Sequence, residues 1–131
     1  TSDKLKMIEA LANSVTTTWL GDSITENLVN GYIRHIDALF PDNTFTDRAV
    51  GGHTSIDMVS TQLPLAVADN AEHYVIAIGL NDIRYFNGVG GTGETTISGY
   101  LANMKTAADA LKATTESLKY FGSLANLLLK A

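Results

Sequence analysis

The chain has 131 residues, 45 % hydrophobic and 18 % charged, a globular composition that suits one domain and excludes a low-complexity array. Nine Lys and Arg against fourteen Asp and Glu leave a net charge of -5, with no basic stripe to release counterions from a phosphate backbone, which argues against nucleic acid as a partner. There is no cysteine, so disulfides, thiolate metal sites and Cys nucleophiles are excluded, and no apolar run approaches the roughly 18 residues of a membrane-spanning helix.

The opening residues 1–6 lack both an initiator Met and the apolar centre of a signal peptide; they read as the start of a processed or excised segment and assign no compartment. Ser2 and Asp3, good helix-capping types, precede Leu5, Ile8, Leu11, Ala12 and Val15, which predicts a helix over 3–13. The β-branched stretch from Val15 to Leu20 meets Gly21-Asp22-Ser23, a stop of the kind that closes a buried strand. Val29, Tyr32, Ile33, Ile36 and Phe40 form a second helical stripe that halts at Pro41. Thr44 to Val50 reads as the second strand, followed by Gly51-Gly52 and a short helix with Ile56, Val59 and Leu63 that stops before Pro64.

Tyr74 to Ile78, apolar throughout and ended by Gly79, is the third strand, and a run apolar on both faces belongs to a parallel sheet covered by helices on both sides. Ile97, Tyr100, Leu101, Met104, Ala108 and Leu111 make a stripe over 97–111, and Leu118, Phe121, Ala125 and Leu128 make a last one. The alternation predicts a single three-layer α/β/α domain over 1–131 with a short parallel sheet in the order 2-1-3. No fourth strand follows, so the sheet ends unfinished at its C-terminal edge. The last helix, a second copy of the chain, or the continuation of a longer protein would cover it.

In open parallel sheets, ligands bind at the carboxyl ends of the strands. Each strand here delivers a Gly-containing polar cluster to that end: Gly21-Asp22-Ser23, Gly51-Gly52-His53-Thr54 and Gly79-Leu80-Asn81-Asp82. A Gly-Asp-Ser turn alone is the ordinary signature of a helix cap, but acyl transfer needs a hydroxyl at a tight turn and several donors converging on one oxyanion. Ser23 would supply the hydroxyl; its own N–H, the N–H of Gly52 and the side-chain amide of Asn81 would supply the donors.

The blocks Trp19-Leu-Gly-Asp-Ser-Ile-Thr25, Ala49-Val-Gly-Gly-His-Thr-Ser55 and Ile78-Gly-Leu-Asn-Asp-Ile-Arg-Tyr85 resemble the SGNH or GDSL hydrolases, a resemblance that runs over residues 15–112. By that resemblance Ser23 is the nucleophile and Gly52 and Asn81 are oxyanion donors. The implied reaction is hydrolysis of an ester, an acyl or acetyl group on a lipid or carbohydrate, without metal or cofactor. The family's fourth block, an Asp-x-x-His that supplies the base and its orienting acid, has no counterpart in this sequence.

Of the three histidines, His73 falls at the opposite pole and His35 within a helix, while His53 follows Gly52 at the correct pole. It reads as a solvent-facing loop residue, with substrate contact and substitute base as the other readings. Asp22 and Asp82 flank the proposed site as acids that hold the loops or touch substrate, Arg84 and Tyr85 line a pocket or cover the sheet, and Trp19 belongs to the core. No His, Asp and Glu grouping has zinc or calcium spacing. Gly88 to Gly93 fits Gly-x-Gly-x-x-Gly but does not directly follow a strand, and Thr25 breaks a Gly-x-Ser-x-Gly elbow. Asp22-Ser23-Ile24 is similar to the Asp-Ser-Leu of acyl carrier proteins, against which the buried strands argue. The expectation is a serine esterase, read as the front portion of a longer hydrolase; the alternative is a non-catalytic binding domain on the same frame.

Overall fold

The structure, a computed structural model, describes residues 3–13, 15–26, 31–84 and 95–114. In chain order its elements are α1 (Asp3–Asn13), β1 (Thr16–Gly21), α2 (Ser23–Glu26), α3 (Tyr32–Leu39), β2 (Thr44–Asp47), α4 (Ser55–Asp57), a π-helical turn (Met58–Gln62), α5 (Leu63–Asp69), β3 (His73–Ala77), α6 (Leu80–Arg84) and α7 (Ile97–Thr114).

β1 is the central strand. It pairs in parallel with β2, Thr16 opposite Thr44, and with β3, Thr17 opposite His73, which gives the order β2-β1-β3. A central strand of a parallel sheet gives both faces to the core, so its burial does not alternate: Thr17, Thr18, Trp19 and Leu20 are all at most 1 % exposed. On one face Leu20, Tyr74 and Ile76 pack with Met58, Leu63 and Ala66 and with Tyr100, Met104, Ala107 and Leu111 of α7. On the other, Trp19 and Val75 meet Leu11, with Tyr32, Ile33, Ile36, Phe40 and Phe45 packed around them. The Tyr32 ring stands edge-on to Trp19 at 5.7 Å between centroids. This is the expected three-layer α/β/α arrangement, and β3 has no strand on its outer edge among the described residues.

The helical run after β2 does not stop at Pro64. Met58–Gln62 form a π-helical turn in which Leu63 N–H donates to Met58 O, and α5 continues from it with Pro64 in its first turn. In a regular α-helix Pro64 would offer no N–H to Ser60 and its ring would crowd that carbonyl; the wider turn just upstream removes the conflict. The run ends at Asn70, which takes the left-handed conformation at φ 46.

β2 is shorter than the expected 44–50 because the Asp47 carboxylate accepts from Ala49 N–H at 2.9 Å and turns the chain. The next residues still follow β1, as Arg48 N–H donates to Trp19 O and Val50 N–H to Gly21 O, at 2.8 and 3.2 Å. That alignment carries Gly51 and Gly52 to the end of β1. The predicted stripe of α1 is covered only at Leu11; Leu5 and Ile8 are about half exposed, because the helix meets the Trp19 side of the sheet by its C-terminal turn. In α7 the deep position expected of Ala108 belongs to Ala107, one step around the helix, and Ile97 is exposed. The predicted stripe over Leu118 to Leu128 and the Gly88–Gly93 stretch lie outside the described residues. Among the described residues no helix is long and apolar enough to cross a membrane.

Candidate active site

β1 hands the chain to a helical turn that presents Ser23. The Asp22 carboxylate accepts from Ile24 N–H at 3.0 Å, and Asp22 O accepts from Thr25 and Glu26 N–H at 3.1 and 2.9 Å. Ser23 is therefore the first residue of α2; it is exposed, and its own N–H, a helix-start donor, has no acceptor among the described residues.

The second loop rests against this serine. A Cβ placed on Gly51 would lie 3.5 Å from Ser23 Cβ, and the Glu26 carboxylate accepts a short hydrogen bond from Gly51 N–H. Gly52 sits at φ +80 with nothing within 4 Å of where a Cβ would be, a left-handed conformation that favours glycine. The Gly52 N–H also has no acceptor among the described residues. The loop then ends in a capping box: Thr54 Oγ1 accepts from Asp57 N–H, and the Asp57 carboxylate accepts from Thr54 N–H at 3.0 Å.

The third loop is tied to the second twice. Asn81, 5 % exposed, donates from Nδ2 to His53 O at 3.0 Å. The Asp82 carboxylate accepts from Ser55 N–H at 2.9 Å and from the Ser55 hydroxyl at 2.6 Å, while Ser55 Oγ accepts from Asn103 Nδ2 of α7 at 2.9 Å. The Tyr100 hydroxyl donates to Ile78 O, so α7 also fastens the end of β3; burial, with the Asp82 charge second, pushes that phenol well above its ordinary range. Ser23, Gly52, His53 and Asn81 thus belong to three loops held together at one pole, with Asp22 and Asp82 buried as the acids that hold them. Arg84 closes α6, and Tyr85 lies outside the described residues.

His53 is half-buried rather than facing solvent, because its Nδ1 lies 3.0 Å from the Nε2 of the buried Gln62. The same amide reads Gly21: Oε1 accepts from Gly21 N–H at 3.0 Å and Nε2 donates to Gly21 O at 2.8 Å. His73 opens β3, four positions before the residue paired with Gly21, and His35 is exposed on α3. Sequence reading did not single out Gln62, Glu26 or Ser55. Gln62 leaves one signal, a polar residue beside Leu63 on a face that Met58 and Leu63 make apolar; Glu26 and Ser55 leave none, since their partners are distant in the chain. Among the described residues no cluster of three His, Asp or Glu is placed to hold a metal ion.

Burial raises the carboxyl of Asp22 above its ordinary pKa; hydrogen bonds from the backbone offset part of this and the nearby Asp82 charge adds to it. Ionising Asp22 therefore costs more in the folded than in the unfolded chain. The penalty is complete above the raised value and absent below the ordinary one. Asp22→Asn keeps the oxygen that accepts from Ile24, so it is expected to be more stable than wild type at pH 7, with the advantage vanishing as pH falls towards 3. Urea unfolding at both pH values checks this; a difference independent of pH would count against it.

No protein-family model and no curated protein matches the chain by sequence. Solved structures do match, and the fold is that of the SGNH-type hydrolases. A protein described as a GDSL-like lipase from Parabacteroides merdae aligns at TM-score 0.62 and 17 % identity over 80 % of this chain and 56 % of its own. An acetyl xylan esterase aligns at 0.68 and 18 %, over 81 % and 56 %. An acetylxylan esterase from Geobacillus stearothermophilus aligns at 0.69 and 18 %, over 79 % and 57 %. Two structures of that last enzyme are described as catalytic mutants, in which an aspartate and a histidine three positions later are each replaced by alanine. The chain spans less than three-fifths of the length of these neighbours.

Proposed function

We propose that the chain is the nucleophile-bearing part of a serine ester hydrolase acting on an acyl or acetyl ester of a carbohydrate or lipid. The observation that carries this is the exposed Ser23 beside Gly51, with the N–H groups of Ser23 and Gly52 uncommitted among the described residues and the Asn81 amide tied to the Gly52 loop through His53 O. In the reaction Ser23 Oγ bonds to the acyl carbon, the carbonyl pair moves to its oxygen, and the donors of Ser23, Gly52 and Asn81 receive the charge. The hydroxyl proton passes to a base and then to the alcohol oxygen as the carbonyl re-forms and the ester C–O bond breaks. Water then adds to the acyl-serine, and its proton passes through the base to Ser23 Oγ as the acyl–Oγ bond breaks, releasing the acid and restoring Ser23.

The reading requires a base. The two catalytic substitutions in the Geobacillus enzyme have the spacing Asp-x-x-His, which the present sequence lacks, so the base belongs to a segment beyond these 131 residues, in the same polypeptide or a second one. The acetyl esterase neighbours favour a small acyl group.

A fluorophosphonate tests the nucleophile directly. Peptide mass spectrometry is expected to place the adduct on Ser23, Ser23→Ala to abolish it, and added imidazole, a diffusible base, to speed labelling of wild type by about tenfold or more. Folded protein without an adduct at Ser23 even in the presence of imidazole would remove the reading.

A further inference from the structure

Gln62 is fully buried, and its orientation is set by backbone: Oε1 accepts from Gly21 N–H and Nε2 donates to Gly21 O, so exchanging the two amide atoms would oppose donor to donor and acceptor to acceptor. Nε2 has a second hydrogen, and 3.0 Å away lies His53 Nδ1. An amide nitrogen has no lone pair to offer, so Nδ1 is the acceptor and carries no proton. The proton of the neutral ring is then on Nε2, which has no partner among the described residues. The backbone of the same residue is anchored too, its N–H to Val50 O and its carbonyl by Asn81.

From this we infer that Gln62 is a positioning residue that holds His53 in the Nε2–H form, so that the ring offers a hydrogen-bond donor beside Gly52 to an oxygen of the ester substrate and does not serve as the base. The inference deepens the esterase reading and rests on it for the identity of the acceptor. A base at this position would need a lone pair on Nε2, and hence Nδ1–H donating to an acceptor, which Gln62 Nε2 cannot be.

Long-range ¹H–¹⁵N correlation spectra of the wild-type chain above pH 8 are expected to show one tautomer for His53, pyridine-like at Nδ1 and pyrrole-like at Nε2. Gln62→Glu, which puts an acceptor opposite Nδ1, is expected to invert it. An Nδ1–H ring or a tautomer mixture in wild type would overturn the inference, as would a folded Gln62→Glu protein with the wild-type pattern. Should Gln62→Glu not fold, the half-buried His53 supplies the second test with p-nitrophenyl acetate. His53→Leu is expected to lower kcat/KM about tenfold, and His53→Gln, which retains an N–H donor but no basic nitrogen, to recover most of the loss. Equal loss in both would assign His53 as base and overturn the inference. Absence of wild-type turnover together with an unlabelled Ser23 would remove the ester as acceptor, and the esterase reading with it, while the spectra still report the tautomer alone.

Discussion

Gly21→Ala is expected to cost about 3 kcal/mol of stability, since overpacking against groups that cannot move aside is among the dearer small substitutions. The added Cβ would lie 2.7 Å from Thr25 Oγ1, 2.8 Å from Thr25 Cβ and 2.8 Å from Ala77 O. Thr25 could turn only by leaving the Tyr32 hydroxyl, which it meets at 2.6 Å, and Ala77 O belongs to the strand paired with Gly21 itself. β1 and β3 would have to separate at the end that carries the site. A fall in Tm of about 10 °C follows for a domain of this size; a fall under 2 °C would show that the strands absorb the methyl. Gly51→Ala provides the contrast, because its nearest neighbour would be Ser23 Cβ at 3.5 Å, an ordinary contact.

Asn81→Ala is expected to lower kcat for p-nitrophenyl acetate about 100-fold, the usual effect of removing one oxyanion donor. In the resting chain its Nδ2 donates one hydrogen to His53 O and has a second to give to a developing oxyanion. In this chain that loss should exceed the loss from Ser23→Ala: nucleophile and base act as a unit, so without the base the serine contributes little, while donors and binding keep their effect. The stability cost is that of one unsatisfied carbonyl, about 1 to 3 kcal/mol, and a melt separates the two. A kcat within threefold of wild type in a folded variant would deny Asn81 its role.

Much of this arrangement was legible in the sequence because β1 is written as a β-branched stretch and β3 as an uninterrupted apolar run, and each ends in a glycine and a short polar cluster. That pattern identified β1 and β3 within one residue at each end, and the alternation of strands with helices predicted the order in which they pair. It brought Ser23, Gly52 and Asn81 into view as members of one set. Pro64 was misread because a π-helical turn has no residue signature, and β2 was overextended because its last residues keep company with β1 after the Asp47 turn has ended the strand. Gln62 and Glu26 escaped because their partners stand 41 and 25 positions away, and a side chain's reach across the fold is not encoded in local periodicity.

The Gly21–Gln62–His53 chain of hydrogen bonds makes a strand amide sensitive to what happens at an imidazole. A molecule that bonds to the His53 ring is expected to alter, through the Gln62 carboxamide, the bonds that protect Gly21 N–H from exchange with deuterium. That single amide, sealed beneath the surface, can serve as a native gauge of occupancy, readable without attaching any dye.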